Sequence, residues 1–222
     1  MTTLLTSSPE IPTLGDLLAR LGDVPAQRVR FYPLPGQATV ADVVAIDAHE
    51  DRLCELIDGV LVEKPMGYRE SLLAVAIGAA LRAFVVPRKL GAVTGADGMV
   101  QLFPGQVRIP DVAYVSRQRL PGGRVPSEPV PHLVPDLAVE VLSKSNTQAE
   151  MARKRRDYFE AGVRLLWLVD LDARVVTVFT GPEESSTLDP NGVLDGGAVL
   201  PGFTLPLPGL FAELDESTTE PQ

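Results

Sequence analysis

The residues able to do chemistry stand where apolar ones belong. Arg108-Ile-Pro-Asp111-Val-Ala-Tyr-Val115 and, about one loop later, Pro135-Asp-Leu-Ala-Val-Glu140-Val-Leu142 both read as buried strands, and each carries a carboxylate. In the second, Leu137, Val139 and Val141 share one face, while Ala138, Glu140 and Leu142 share the other. A carboxylate turned into a packed layer is costly unless it is paired, hydrogen-bonded or bound to a cation. Two such carboxylates on neighbouring strands, with a lysine close behind, make the arrangement a divalent metal site requires.

The lysine is Lys154. A helix is predicted from Thr147 to about Ala161, and positions 147, 151, 154, 158 and 161 fall on one stripe of it. Thr, Met, Tyr and Ala suit a face turned to a sheet, with Lys154 at its centre and Arg153 and Arg156 on the outer side. An inward lysine there can orient a water or stabilise charge developing on a phosphorus centre. The plainer alternative is a lysine that only pairs with Glu140. Glu70, in the first turn of a helix predicted over 68–86, shares a stripe with Leu73, Ile77, Leu81 and Phe84 and so points to the core; the alternative is a solvated glutamate favoured by the helix dipole. Glu55 and Glu63 alternate with apolar residues in a hairpin and are further candidates, or surface residues. His49 and His132 lie far apart and read as surface residues, so no Cys/His cluster competes with hard oxygen donors. That donor set favours Mg²⁺, with Mn²⁺ as a substitute.

The elements that must position these groups follow from patterning. Thr13 to Leu21 reads as a short amphipathic helix capped by Thr13, and a second helix starts near Thr39. Leu53 to Glu63 is two strands about Asp58-Gly59, the strongest short hairpin signal. The helix over 68–86 is apolar nearly all round and is expected inside the molecule. Further strands are expected over 92–102, 107–115, 163–170 and 174–180, and Pro121 to Pro135 is a long loop. Strand-rich halves around two long helices imply an α/β fold, a central mixed sheet flanked by helices. The expected divisions are an N-terminal extension with a short helix over 1–38, whose first twelve or so residues are expected to be mobile, a compact domain over 39–212 and a disordered acidic tail over 213–222.

Bulk composition narrows the classes. The 222 residues carry a formal net charge of -9, which argues against a general nucleic-acid coating protein but not against a local basic groove. Arg117, Arg119 and Arg124 in the long loop, with Arg153, are the candidate contacts to DNA phosphates. The lone Cys54 cannot form an internal disulfide, no signal peptide is visible, and no uncharged apolar run reaches the roughly 18 residues of a membrane span. A soluble cytoplasmic protein is expected.

Five short motifs in order carry a resemblance: Glu-Leu-Ile-Asp-Gly from Glu55, Arg-Ile-Pro-Asp-Val-Ala-Tyr-Val from Arg108, Pro-Asp-Leu-Ala-Val-Glu-Val-Leu-Ser from Pro135, Lys154-x-x-x-Tyr-x-x-x-Gly-Val, and Leu-Trp-Leu-Val-Asp ending at Asp170. Over roughly 39–212 the chain resembles the Uma-type "putative restriction endonuclease" family of the PD-(D/E)XK nuclease superfamily. The resemblance implies a restriction-endonuclease-like core that holds Mg²⁺ and hydrolyses phosphodiester bonds in DNA. Asp111 then matches the aspartate of the "PD" element and Glu140 the acidic residue of "(D/E)XK". The lysine position of that element is Leu142 here, so Lys154, on the following helix, takes the catalytic lysine's place. Family members often carry a histidine where this chain has Glu70; superfamily nucleases often use a glutamate of that helix as an additional metal ligand. Homodimers are common in the superfamily, though no interface is legible here. Two other readings stay open: a catalytically silent nuclease-fold module that binds nucleic acid or a protein partner, and a structural domain with hydrogen-bonded core carboxylates.

Overall fold

A computed structural model describes residues 13–50, 52–65 and 67–215. The first twelve residues, and 216–222 of the expected tail, lie outside the described residues. In chain order the elements are α1 (Leu14–Leu21), α2 (Val40–Glu50), β1 (Cys54–Ile57), β2 (Val60–Glu63), α3 (Tyr68–Val85), β3 (Gly91–Thr94), β4 (Val100–Phe103), β5 (Gln106–Arg108), β6 (Val112–Ser116), β7 (Leu137–Leu142), α4 (Gln148–Ala161), β8 (Leu165–Asp170), β9 (Val175–Phe179), β10 (Ser185–Leu188), β11 (Val193–Asp195), β12 (Thr204–Pro206) and α5 (Leu207–Ala212).

The main sheet has six strands in the order β10-β9-β8-β7-β6-β3. It is mixed: β7 and β8 are parallel, joined by α4, and the other pairs are antiparallel. A parallel pair needs such a crossover because a tight turn cannot return the chain to the same edge. The alternation in β7 divides its environment as its sequence implies. Leu137, Val139 and Val141 join Leu73, Ile77 and Leu81 of α3 and the buried residues of α5 in one core, while Ala138 packs with Tyr158 of α4 on the other face.

A second sheet, β2-β1-β5-β4, begins with the predicted hairpin. Its turn puts Asp58 and Gly59 at positive φ, 50° and 74°, as a two-residue hairpin with right-handed twist demands. Two stretches that read as continuous strands are each divided between the sheets. Residues 92–102 become β3 in the main sheet and β4 in the small one, interrupted around Gly95, Asp97 and Gly98. Residues 107–115 become β5 and β6, broken at Pro110, which has no N–H for a ladder. Within these two stretches the chain changes sheet twice, and Asp111 sits at one of those crossings.

Helix α3 is not enclosed as expected. Leu73, Ala74, Ile77, Leu81 and Val85 are buried, whereas Val75 on the outer side is 67% exposed. Its outer face is small and apolar, which hides the amphipathic pattern from the sequence. No helix among the described residues is long and apolar enough to cross a membrane.

The segment before the compact domain is docked onto it. Thr13 caps α1 through Asp16 N–H, and α1 packs on β1 and β2 through Leu17 and Leu21. Gly22 ends α1 at φ +88° against the first turn of α4, where Thr147 donates its hydroxyl to the Gly22 carbonyl at 2.6 Å. A Cβ on Gly22 would lie 2.7 Å from Glu150 Cα. Gly22→Ala is therefore expected to cost about 2 kcal/mol or more in urea unfolding. Gly36→Ala, at φ +90° with open space around it, should cost only the left-handed penalty of about 1–2 kcal/mol; equal losses would refute the close-packing argument.

Candidate active site

Asp111 is fixed to β7 at two points. Its N–H donates to the Val139 carbonyl at 2.9 Å, and its Oδ2 accepts the Val141 N–H at 2.7 Å. The two bonds straddle Glu140, which projects from the α4 face of the same strand. Glu140 Oε2 accepts from Lys154 Nζ at 3.0 Å and Oε1 from the Tyr158 hydroxyl at 2.6 Å. The helical stripe read from the sequence is thus real: Met151, Lys154 and Tyr158 are all buried.

Lys154 also lies 3.1 Å from Glu55 Oε1, on β1 of the small sheet. The Leu56–Val107 register brings Glu55 beside Arg108, whose Nη1 donates to Glu55 Oε2 at 2.7 Å; the same guanidinium pairs with Asp157 of α4. Glu55, Arg108, Glu140 and Lys154 are each nearly excluded from solvent. Lys64, just past β2, completes the set. Its ammonium donates to the Ile109 carbonyl at 2.7 Å and the Ala96 carbonyl at 3.0 Å, and pairs with Asp111 Oδ1 at 2.8 Å.

The neighbours set the proton affinities apart. Burial pushes the Glu140 carboxyl above its ordinary value; Lys154 opposes the shift, and the Asp111 and Glu55 charges reinforce it. Burial acts on Glu55 in the same direction, but Lys154 and Arg108, with hydrogen bonds from Arg108 and Ile109, outweigh it and hold Glu55 down to about 2. Burial alone would weaken the Lys154 proton, yet Glu140 and Glu55 raise its pKa above the usual lysine value. Burial and the Glu140 charge push Tyr158 well above the phenol range, so it stays a donor.

Asp111, Glu140, Lys154 and Glu70 line a single cleft, together with Lys64 and Asn146. Glu70 folds back over Gly67: a Cβ there would lie 1.9 Å from its Oε2, so only glycine leaves the carboxylate this position. Glu70 is half-buried at the cleft, not in the core. Among the described residues no three His, Cys, Asp or Glu side chains are grouped closely enough to hold a metal by themselves.

The arginines expected to touch DNA lie elsewhere. Arg117 and Arg119 follow the end of β6 opposite Asp111, about 20 Å away at the rise of an extended strand. Arg119 donates to the carbonyls of Pro135 and Gly162, while Arg117 and Arg124 are exposed. Arg153 is turned inward, against expectation: it bonds the Arg20 carbonyl and Asp58. Glu63 pairs with Arg30 and Arg52 away from the cleft, and both histidines are exposed. Lys64, Arg108 and Tyr158 join the site beyond the residues expected from the sequence. Arg108 had a signal of the kind that exposed Glu140, since it and Gln106 alternate with Val107 and Ile109.

Glu55 makes a testable contribution. Glu55→Gln leaves two buried cations short of a carboxylate and should cost about 3–5 kcal/mol. Because its folded pKa is depressed, Glu55 stabilises fully above its ordinary 4.5, and that stability is lost as pH falls toward about 2. Denaturation across pH 2–7 should show this acid limb in the wild type and a flatter one in Glu55→Gln; identical limbs would contradict the assignment.

A family model described as "Uma2: Putative restriction endonuclease" matches residues 40–208. Comparison with curated proteins gives no match. Among solved structures, one described as a putative nuclease belonging to DUF820 from Anabaena variabilis ATCC 29413 matches with a TM-score of 0.66 and 21% identity, covering 74% of this chain and 92% of that one. At that identity the likeness speaks for the fold. The family match spans most of the chain and every residue of the Glu140–Lys154 network, and the protein belongs to the Uma2 family.

Proposed function

We propose that the protein is a Mg²⁺-dependent endonuclease that hydrolyses phosphodiester bonds in DNA. The observation that carries this reading is the convergence of Asp111 and Glu140 on one cleft, with a buried lysine bonded to Glu140. The donor set suits a hard cation: two carboxylates, with Glu70 at the same cleft and, among the described residues that line it, no sulfur or imidazole. Mg²⁺ commonly takes only one or two carboxylates and keeps several waters, so the lack of a third close carboxylate among the described residues is compatible with it. Asp111 and Glu140 would be the ligands, and Mn²⁺ would substitute. When bound, the ion would offset phosphate charge and lower the pKa of a coordinated water.

The chain's own residues do the rest. Tyr158 and Lys154 orient Glu140, and the two hydrogen bonds to β7 orient Asp111. Lys154, clamped between Glu55 and Glu140, holds a fixed positive charge at the cleft wall. The cleft runs on past Ser143 and Asn146 into a groove that includes Lys144, and past Ser71 and Ala96 into another that includes Arg82. Both cations are exposed, and in this reading they meet the nucleic-acid backbone in place of the distant Arg117 and Arg124. Cytoplasmic residence and homodimeric assembly belong to the same reading.

A second reading is favoured by the pairing itself. Asp111 and Glu140 already face lysines, so the site is charge-compensated without a metal, as in a catalytically silent module that binds nucleic acid or a protein partner. Purified protein assayed on single-stranded, duplex and branched DNA decides between them. The nuclease reading expects Mn²⁺- or Mg²⁺-dependent cleavage that falls to background in Asp111→Ala and Glu140→Ala and by roughly 10²–10³-fold in Lys154→Met. Chelator-insensitive DNA binding with no cleavage, unchanged by Glu140→Ala, selects the silent module.

A further inference from the structure

Lys64 does more than neutralise Asp111. Its ammonium donates to the Ile109 and Ala96 carbonyls at 2.7 and 3.0 Å and forms an ion pair with one Asp111 oxygen at 2.8 Å. Its side chain is 3% exposed. A lysine held in this way is not poised to grip a substrate phosphate, because doing so would orphan buried carbonyls. What surrounds the nitrogen is a cluster of hard oxygens, one carboxylate and two carbonyls, the donor types that hard divalent cations take.

The position matters as much as the chemistry. Asp111 has two oxygens. Oδ2 is tied to β7 beside Glu140, while Oδ1 is turned to Lys64. A site holding two divalent ions would need a carboxylate shared between them, and here one side of Asp111 already carries a positive charge delivered on a side chain.

We propose that Lys64 is a tethered cation occupying the second of two cation positions that share Asp111, so that the cleft takes a single divalent ion, between Asp111 and Glu140. This rests on the metal-dependent reading of the same cleft. Lys64 is then a positioning residue: it holds Asp111 and the two chain crossings in place and sets how many ions enter.

The test counts ions. Full-length wild-type protein, Lys64→Met and Lys64→Gln are titrated with Mn²⁺, bound metal being measured calorimetrically and by loss of the free Mn²⁺ resonance signal, with folding checked by circular dichroism. The expected result is one Mn²⁺ per chain in the wild type and two in the Lys64 variants, with none in Asp111→Ala. Two ions in the wild type overturn the inference without any variant. So does an unchanged count in whichever Lys64 variant folds. No ion in the wild type removes the metal-dependent reading and the inference with it, whereas one ion in the wild type and the variants alike removes the inference alone, so the two failures are distinguishable.

Discussion

Charge cannot be buried alone, and this molecule is organised around that constraint. Glu140 needs Lys154; Lys154, aimed into the protein, is held also by Glu55; Glu55 needs Arg108; and Arg108 reaches Asp157, back on the helix that carries Lys154. The circuit passes through β7 of the main sheet, β1 and β5 of the small sheet, and α4. Removing any member strands a neighbour in a low-dielectric interior, where an unpaired charge costs several kcal/mol. The two sheets are therefore joined by electrostatics as well as by apolar packing, and the cleft opens where they meet.

The crossings give the cleft its shape. Turns around Gly95 to Gly98 and at Pro110 carry the chain from one sheet to the other, and the Lys64 ammonium bonds a carbonyl in each. Asp111 follows directly on the second crossing. Its place beside Glu140 thus depends less on a loop's conformation than on the main-chain bonds that start β6 against β7.

Much of this was legible in the sequence, and the limits have physical causes. Alternation along β7 and the helical stripe through Lys154 report which face a side chain occupies, so Glu140 and Lys154 were found with their partnership. Alternation says nothing about which sheet a strand joins; hence 92–102 and 107–115 read as single strands although each is divided. Lys64 is not legible because a lone lysine after a strand ordinarily points to water, and its partners lie 32, 45 and 47 residues away. Closeness in sequence groups Arg117, Arg119 and Arg124 with the acidic strand, while the length of β6 separates them from Asp111. The helical angle of Arg153 puts it on the outer face, but α1 and the hairpin turn cover that side.

The turn between β7 and α4 fixes how strand and helix are geared together. Ser143 N–H donates to Asn146 Oδ1, Asn146 N–H to the Ser143 carbonyl, and Thr147 caps the helix through Glu150 N–H, so the five residues 143–147 form one closed unit. Because the acid stands on the strand and the lysine on the helix, their meeting depends on the length of this turn. One inserted or deleted residue rotates α4 by about 100° relative to β7 and swings position 154 off the carboxylates. A strand-borne lysine two residues from its acid would tolerate such a change freely. With the lysine on the helix and the acid on the strand, an ordinarily permissive loop becomes a segment of fixed length in this chain.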